Sequence, residues 1–267
     1  MTVGVLMSVY ANVQTDELKR SIQSILNQTY KEFIFFIGID GPISSELNSV
    51  LAHFSYDQRL LIIRFKENRG LAAVLNDLIK ESSHCALLAR MDADDMALPF
   101  RLERQVLFLS EHPDIDVLGC AIEEVDEHQN SLGTSFYPET SEECYKWFAK
   151  WNPLVHSAVM FRRRFFEKAG CYDVTYLRHQ DTMLWVKGFL SGCVFANIPE
   201  VLMQVTTTSD LFKLRLGGFH LAWKSLKDRI KINRQLGYGF SAYAYAFKMF
   251  VVMIHPIWFK KLAIKGR

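Results

Sequence analysis

Four short β-rich runs, at residues 3–9, 33–39, 60–65 and 86–91, are each followed by a stretch whose apolar residues recur at helical spacing, and this constrains the chain more than any other feature. Leu18, Ile22, Ile25 and Leu26 share one helical face, as do Leu47, Val50 and Leu51, and then Leu71, Val74, Leu75 and Leu78. A period near 2 that alternates with a period near 3.6 reads as βαβ units, and hence as an α/β fold with a mostly parallel sheet. The fourth run is almost wholly apolar, as expected of a strand covered on both faces. Thr15 or Asp16 is placed to cap the first helix, Gly70 to open the third, and Pro99 to start another at a position that tolerates proline.

Beyond residue 136 the order is less regular. A helix is expected near 142–150, a strand near 158–161, a helix near 181–190, and strands near Val194 and Val201. The last segment reads as two helices, 210–235 and 242–264, broken near Gly237-Tyr238-Gly239 and at Pro256. With 49% hydrophobic and 13% aromatic residues in 267 there is ample material for a core, which excludes a disordered chain, a collagen-like repeat and a disulfide-stapled miniprotein. The size suits one large domain with an appendage.

The net charge of +2 conceals a division. Residues 1–210 carry 19 basic and 28 acidic side chains, a net of −9, whereas residues 211–267 carry 12 basic and one acidic, a net of +11. Oppositely charged halves point to different partners. Five scattered cysteines without a C-x-x-C pair fit a reducing compartment. The apolar N-terminus lacks a cationic flank and reads as a buried strand, not a signal peptide. The stretch 240–259 is interrupted by Lys248, His255 and Pro256 and is too broken to span a bilayer.

In open sheets of this kind ligands bind beyond the carboxyl ends of the strands, where Tyr10, Asp40, Asn68 and Asp92 fall. Asp92-Ala93-Asp94-Asp95 sets three carboxylates in four residues, and their repulsion must be relieved. A hard divalent cation such as Mg²⁺ or Mn²⁺ would do so, and so would the positive end of the helix that starts at Pro99. Gly70, after Asn68-Arg69, could offer backbone amides to a phosphate or simply serve a turn.

Taken in order, Ser8-Val9-Tyr10-Ala11-Asn12, the run from Ser21 to Tyr30, Asp40-Gly41, Asn68-Arg69-Gly70-Leu71-Ala72 with Asn76, and Arg90-Met91-Asp92-Ala93-Asp94-Asp95 resemble the motifs of family 2 glycosyltransferases. The similarity covers about residues 3–205 and is nearest to bacterial members that build O-antigen or capsular polysaccharide, in which Pro99, Arg101 and Gln105 also have counterparts. The resemblance implies a GT-A fold, a nucleotide-sugar donor with Mn²⁺ or Mg²⁺, and inversion at the anomeric carbon. It places Tyr10 against the nucleoside and Asp40 on the uracil of a UDP donor, with Asn68, Arg69 and Ala93 beside the donor. Asp94 is then the main metal ligand, with Asp92 near ribose or metal and Asp95 assisting. The family's usual Glu-Asp pair stands here as Gln180-Asp181, which makes Asp181 the base and Gln180 a departure. The segment 152–163 matches a region near the acceptor. There His156 could touch acceptor or diphosphate or be purely structural, and Arg162 to Arg164 could meet a phosphate or form a solvated turn.

On this reading residues 1–210 form the catalytic domain, with about 1–120 for the donor and 121–210 for the acceptor. Residues 211–267 form a basic tail with eleven aromatics, including Trp223, Tyr243, Tyr245, Phe247, Trp258 and Phe259. Basic residues among Trp and Phe on helices suit an anionic membrane surface, and the aromatic clustering disfavours nucleic acid. The expected activity is transfer of a hexose, of glucose or galactose type, from a UDP-sugar to a polyprenyl-diphosphate-linked saccharide. The protein would be cytoplasmic and peripheral on the inner face of the bacterial cytoplasmic membrane. The sequence leaves two other classes open, a metal-dependent nucleotidyl or phosphoryl transferase and a non-catalytic nucleotide-sugar-binding scaffold.

Overall fold

A computed structural model describes residues 1–176, 178–207 and 219–255. The first half alternates strictly: β1 (Val3–Val9), α1 (Thr15–Leu26), β2 (Phe33–Asp40), α2 (Ser45–Phe54), β3 (Leu60–Phe65), α3 (Leu71–Glu81) and β4 (Leu87–Met91). There follow β5 (Met96–Ala97), α4 (Arg101–Glu111), β6 (Val117–Val125), β7 (Ser131–Ser135) and α5 (Ser141–Phe148). A 3₁₀ turn (His156–Ala158) leads into β8 (Met160–Arg162), α6 (Arg163–Ala169), α7 (Gln180–Leu190) and β9 (Phe195–Thr206). Two further helices are α8 (Phe219–Gln235) and α9 (Phe240–Ile254).

The strands form one sheet in the order β3-β2-β1-β4-β8-β6-β9-β5, with β7 paired to β6. The pairs β1–β2, β1–β4, β2–β3 and β6–β9 are parallel and carry most of the ladder. β8 enters antiparallel between β4 and β6. Because β1 has β2 on one side and β4 on the other, the chain reverses its direction of winding there, which opens a crevice beyond Val9 and Met91. The central strands β1, β2 and β4 are buried on both faces. Val5, Met7, Phe35, Ile37 and Ala89 pack on one side with α1 and α2, and Leu6, Phe36 and Leu88 pack on the other with α3.

Several motif residues prove to be joinery. The Gln28 amide donates to Leu98 O (2.7 Å) and its carbonyl accepts from Leu102 N (2.9 Å), tying the end of α1 to the start of α4. Arg101, wholly buried, donates to Arg90 O at 2.7 Å and to Gln105, whose amide reaches Ala158 O at 2.9 Å. This chain fixes the end of β4 against the 156–158 turn.

The structure departs from sequence expectation in defined places. The cap of α1 is Gln14, and Thr15 and Asp16 lie inside the helix. The two strands expected near Val194 and Val201 are one strand, β9, whose register against β6 shifts around Pro199. Proline cannot donate to a ladder, and here it sits at a bulge instead of ending the strand. Arg162, Arg163 and Arg164 form neither a phosphate site nor a solvated turn. Arg162 and Arg163 donate to carbonyls at the ends of α4 and α3, and Arg164 with Lys168 holds the fully buried Asp116. That buried carboxylate also accepts from Val194 N (3.0 Å).

The predicted break at Gly237 is present. Gly237 has φ +68, and Tyr238 N donates to Asn233 O at 2.9 Å, a six-to-one closure that ends α8. The break at Pro256, Trp258, Phe259 and the boundary near residue 210 lie outside the described residues. α8 and α9 pair with each other and are seated on α5: Tyr238 Oη donates to Tyr145 O, Arg229 donates to Phe148 O at 2.8 Å, and Tyr245 meets the Trp151 ring edge-on at 5.0 Å. Among the described residues no helix is long and apolar enough to cross a membrane.

Candidate active site

Tyr10 directly follows β1 and is 45% exposed at the lip of the crevice. Asp40, the last residue of β2, is buried and accepts from Arg69 N (2.7 Å) and Gly70 N (2.9 Å), while the Asn68 amide donates to Asp40 O (3.3 Å). The Asp40 carboxylate therefore fastens the 68–70 loop to the sheet edge and uses the two amides that could have faced a phosphate. Gly41 is obligatory beside it. Its φ is +83, and a Cβ there would lie 2.7 Å from Asn68 N. The Arg69 guanidinium lies over Phe65 (4.2 Å) and pairs with Asp77 at 2.5 Å.

Past β4 the three acids converge, one oxygen from each of Asp92, Asp94 and Asp95 lying within 4.8 Å of the others. Ala93 between them is buried. The arrangement is held from several sides. Ser21 on α1 donates to Asp92 O at 2.8 Å, and Arg90, buried in β4, pairs with the Asp92 carboxylate. Thr206 at the end of β9 donates its amide to Asp95 Oδ1 (3.0 Å) and its hydroxyl to Asp94 O (2.7 Å). Crowding by protein, then Asp92, pushes the Asp94 carboxyl up to about 6 although its residue stays open to solvent at the rim. Burial, then Asp92 and Asp94, raises Asp95 well above the usual carboxylate range. Three hard oxygen donors whose mutual repulsion is met mainly by one guanidinium fit a small divalent cation.

On the other side of the cleft α7 begins with Gln180 and Asp181 directly after His179, which has a left-handed φ of +61. Such a conformation in a non-glycine residue is rare and fixes the direction in which the helix starts. The Asn152 amide donates to Asp181 Oδ2 at 3.1 Å, and the Thr182 hydroxyl donates to Asn152 Oδ1 at 3.2 Å. Gln180 Oε1 is buried with no hydrogen-bond partner among the described residues. His156 and Tyr172 are joined Nε2 to Oη at 2.8 Å. Burial, then the Arg90 charge, lowers His156 to about 4, so its ring is neutral at physiological pH. Burial likewise raises the Tyr172 phenol. Both side chains feel the fields of Asp92 and Asp181, so both acids lie near the same pair. Asn76 on α3 clamps Tyr172 through a reciprocal pair of bonds with its backbone, each 2.9 Å.

Sequence reasoning placed Arg90 and Asn152 only inside matched segments, without roles of their own, and did not single out Tyr172 or Thr206. Arg90 had a visible signal, a full charge inside an otherwise apolar strand. Tyr172 and Thr206 reach the site only through tertiary contacts.

The family model "Glycosyl transferase family 2" matches residues 5–170. The chain is a family 2 glycosyltransferase. It is 30% identical over 231 residues, 86% of this chain and 84% of its relative, to the amylovoran biosynthesis glycosyltransferase AmsE of Erwinia amylovora. It is 29% identical over 231 residues, 86% of this chain and 83% of the relative, to an Escherichia coli protein named UDP-Gal:alpha-D-GlcNAc-diphosphoundecaprenol beta-1,3-galactosyltransferase. Solved structures resemble it at low identity. S. aureus TarS 1–349 in complex with UDP-GlcNAc has a TM-score of 0.65 at 14% identity, over 98% of this chain and 84% of that one. The mannosyltransferase PcManGT of Pyrobaculum calidifontis, in complex with GDP-Man and Mn²⁺, has 0.63 at 15%, over 99% and 79%. The glycosyltransferase thus has the α/β GT-A fold expected of its motifs.

Proposed function

We propose that this glycosyltransferase transfers a hexose, of glucose or galactose type, from a UDP-sugar to a saccharide carried on a polyprenyl diphosphate, with inversion, in bacterial surface polysaccharide synthesis. The observation that carries the reading is that Asp181 and Asp92, one member of the acid cluster, both act on one bonded His156–Tyr172 pair. Direct displacement needs a negative charge stabilised on the leaving diphosphate and a proton removed from the attacking hydroxyl, and the cleft offers a group for each. The Escherichia coli relative's name supplies the donor and acceptor class.

In this reading Tyr10 receives the base at the rim of β1. Asp40 acts by holding Asn68, Arg69 and Gly70 at the edge where the uracil of the donor would sit. Asp94, Asp95 and Asp92 would hold a Mn²⁺ or Mg²⁺ ion, which when bound neutralises the diphosphate. Asp181, oriented by Asn152, accepts the acceptor's proton. His156, neutral, can donate or accept one hydrogen bond without adding charge near the two acids. Residues 1–120 then serve the donor, 121–210 the acceptor, and 211–267 a peripheral attachment to the inner face of the cytoplasmic membrane. Support for that attachment comes from exposed Phe219, Trp223, Phe240 and Phe247 beside Lys224, Lys227 and Lys231.

The test is a panel of nucleotide sugars scored for UDP release with a synthetic diphosphate-lipid acceptor. Acceptor-dependent release is expected. Release of inorganic phosphate, or transfer of phosphate to the acceptor, would contradict the reading.

A further inference from the structure

One open groove among the described residues plays no part in the chemistry above. It is a groove of about 680 Å³ between the segment Phe136–Glu139 and one face of α5 with its following turn. The helical side contributes Glu143, Lys146 and Trp147 from α5, spaced i, i+3 and i+4, and the following turn adds Lys150 and Trp151. Cys144 and Phe148 on the opposite face are buried in the core, which fixes which side looks outward. Phe136 is 61% exposed and Trp147 43%. Trp151 lines the groove, and the next residue, Asn152, is the one that orients Asp181.

We propose that this groove is an extended acceptor subsite that binds saccharide units next to the one that receives the new sugar. The inference rests on the assignment of Asp181 as the base. Three properties point to a carbohydrate. Aromatic rings offer flat apolar faces for the C–H faces of pyranose rings, and the adjoining Glu139, Glu143, Lys146 and Lys150 supply acceptors and donors for hydroxyl groups. The volume exceeds that of a single hexose and lies within the usual range of ligand sites. An acceptor with its reacting hydroxyl at Asp181 has the groove as a continuation of its path.

The experiment uses the full chain and ligand-observed saturation-transfer NMR with a panel of α- and β-linked hexose and N-acetylhexosamine trisaccharides and the matching monosaccharides. Farnesyl phosphate serves as an apolar control. At least one trisaccharide is expected to bind wild type at least tenfold more tightly than its monosaccharide. Trp147→Ala should remove that advantage, as should Phe136→Ser, a second exposed position that guards against misfolding at the first. UDP–Mn²⁺ affinity should be unchanged in both. Absence of binding by every trisaccharide, equal binding by wild type and both variants, or binding of farnesyl phosphate alone would each overturn the inference. A failure of the glycosyltransferase chemistry itself would show instead as a wild type that binds trisaccharides but releases no UDP from any donor.

Discussion

Replacing Asp95 by Asn tests the acid cluster in a way that separates metal binding from simple helix-end electrostatics. Three carboxylates lie within 4.8 Å of one another. At an effective dielectric near 20, two unit charges at that distance repel by about 3.5 kcal/mol, and solvent at the Asp94 rim reduces this further. Asn keeps the acceptor for Thr206 N and loses about 1 kcal/mol of charge-assisted bonding, but removes two repulsive pairs and one buried charge. The metal-free variant should therefore be more stable than wild type by about 2 kcal/mol, or roughly 4–8 °C in melting temperature. The sign depends on pH. A carboxyl raised in the folded state destabilises increasingly as pH climbs above the unfolded value, so the gain should be largest near pH 8 and vanish toward pH 4. With Mn²⁺ the order reverses, because wild type gains about 2.7 kcal/mol at a hundredfold excess over its dissociation constant and the variant gains less. Differential scanning fluorimetry in EDTA and in millimolar Mn²⁺ would show the crossover. A variant less stable than wild type in EDTA, or an equal Mn²⁺ shift in both proteins, would refute the reasoning.

Other outcomes follow from the same geometry. Gly41→Ala should cost about 2–3 kcal/mol in urea unfolding and weaken donor binding, since it strains a left-handed residue and presses on Asn68 N. The neutral His156 stabilises the fold fully above about pH 6.5, and that contribution is lost as pH falls toward about 4, because the unfolded chain takes up the proton that the folded one excludes. His156→Gln should flatten the stability profile across that interval by about 2 kcal/mol. Trp223→Ser with Phe247→Ser should reduce sedimentation with phosphatidylglycerol vesicles and leave UDP affinity intact; unchanged sedimentation would remove the membrane role of α8 and α9.

Features set by short-range forces are legible in the sequence, and those set by long-range contacts are not. The parallel half, β1 to β4, was legible because each strand and helix announces itself through local periodicity, and the carboxyl-end rule then located Tyr10, Asp40 and Asp92. β5 was missed because two residues carry no pattern; it exists because β9 pairs with it. β9 was divided at Pro199 because local rules read proline as a stop, whereas the neighbouring β6 accommodates a bulge. The three arginines 162–164 showed a charge run, and only the folded chain reveals the carbonyls they cap. Within the site the acidic residues were visible as a motif. Of their supports, Arg90 showed as a charge in an apolar strand two residues from Asp92, whereas Asn152, Tyr172 and Thr206 are set by contacts far along the chain and left little local trace.

The central claim is that Asp181 takes the proton from the acceptor while the acid cluster holds the donor. It is tested most directly by measuring donor binding and acceptor-dependent UDP release side by side in wild type and Asp181→Asn. The account predicts unchanged UDP-sugar affinity and a fall in kcat of about 10²–10⁴, the usual worth of a general base. Wild-type turnover in the variant, or loss of donor binding together with activity, would contradict it.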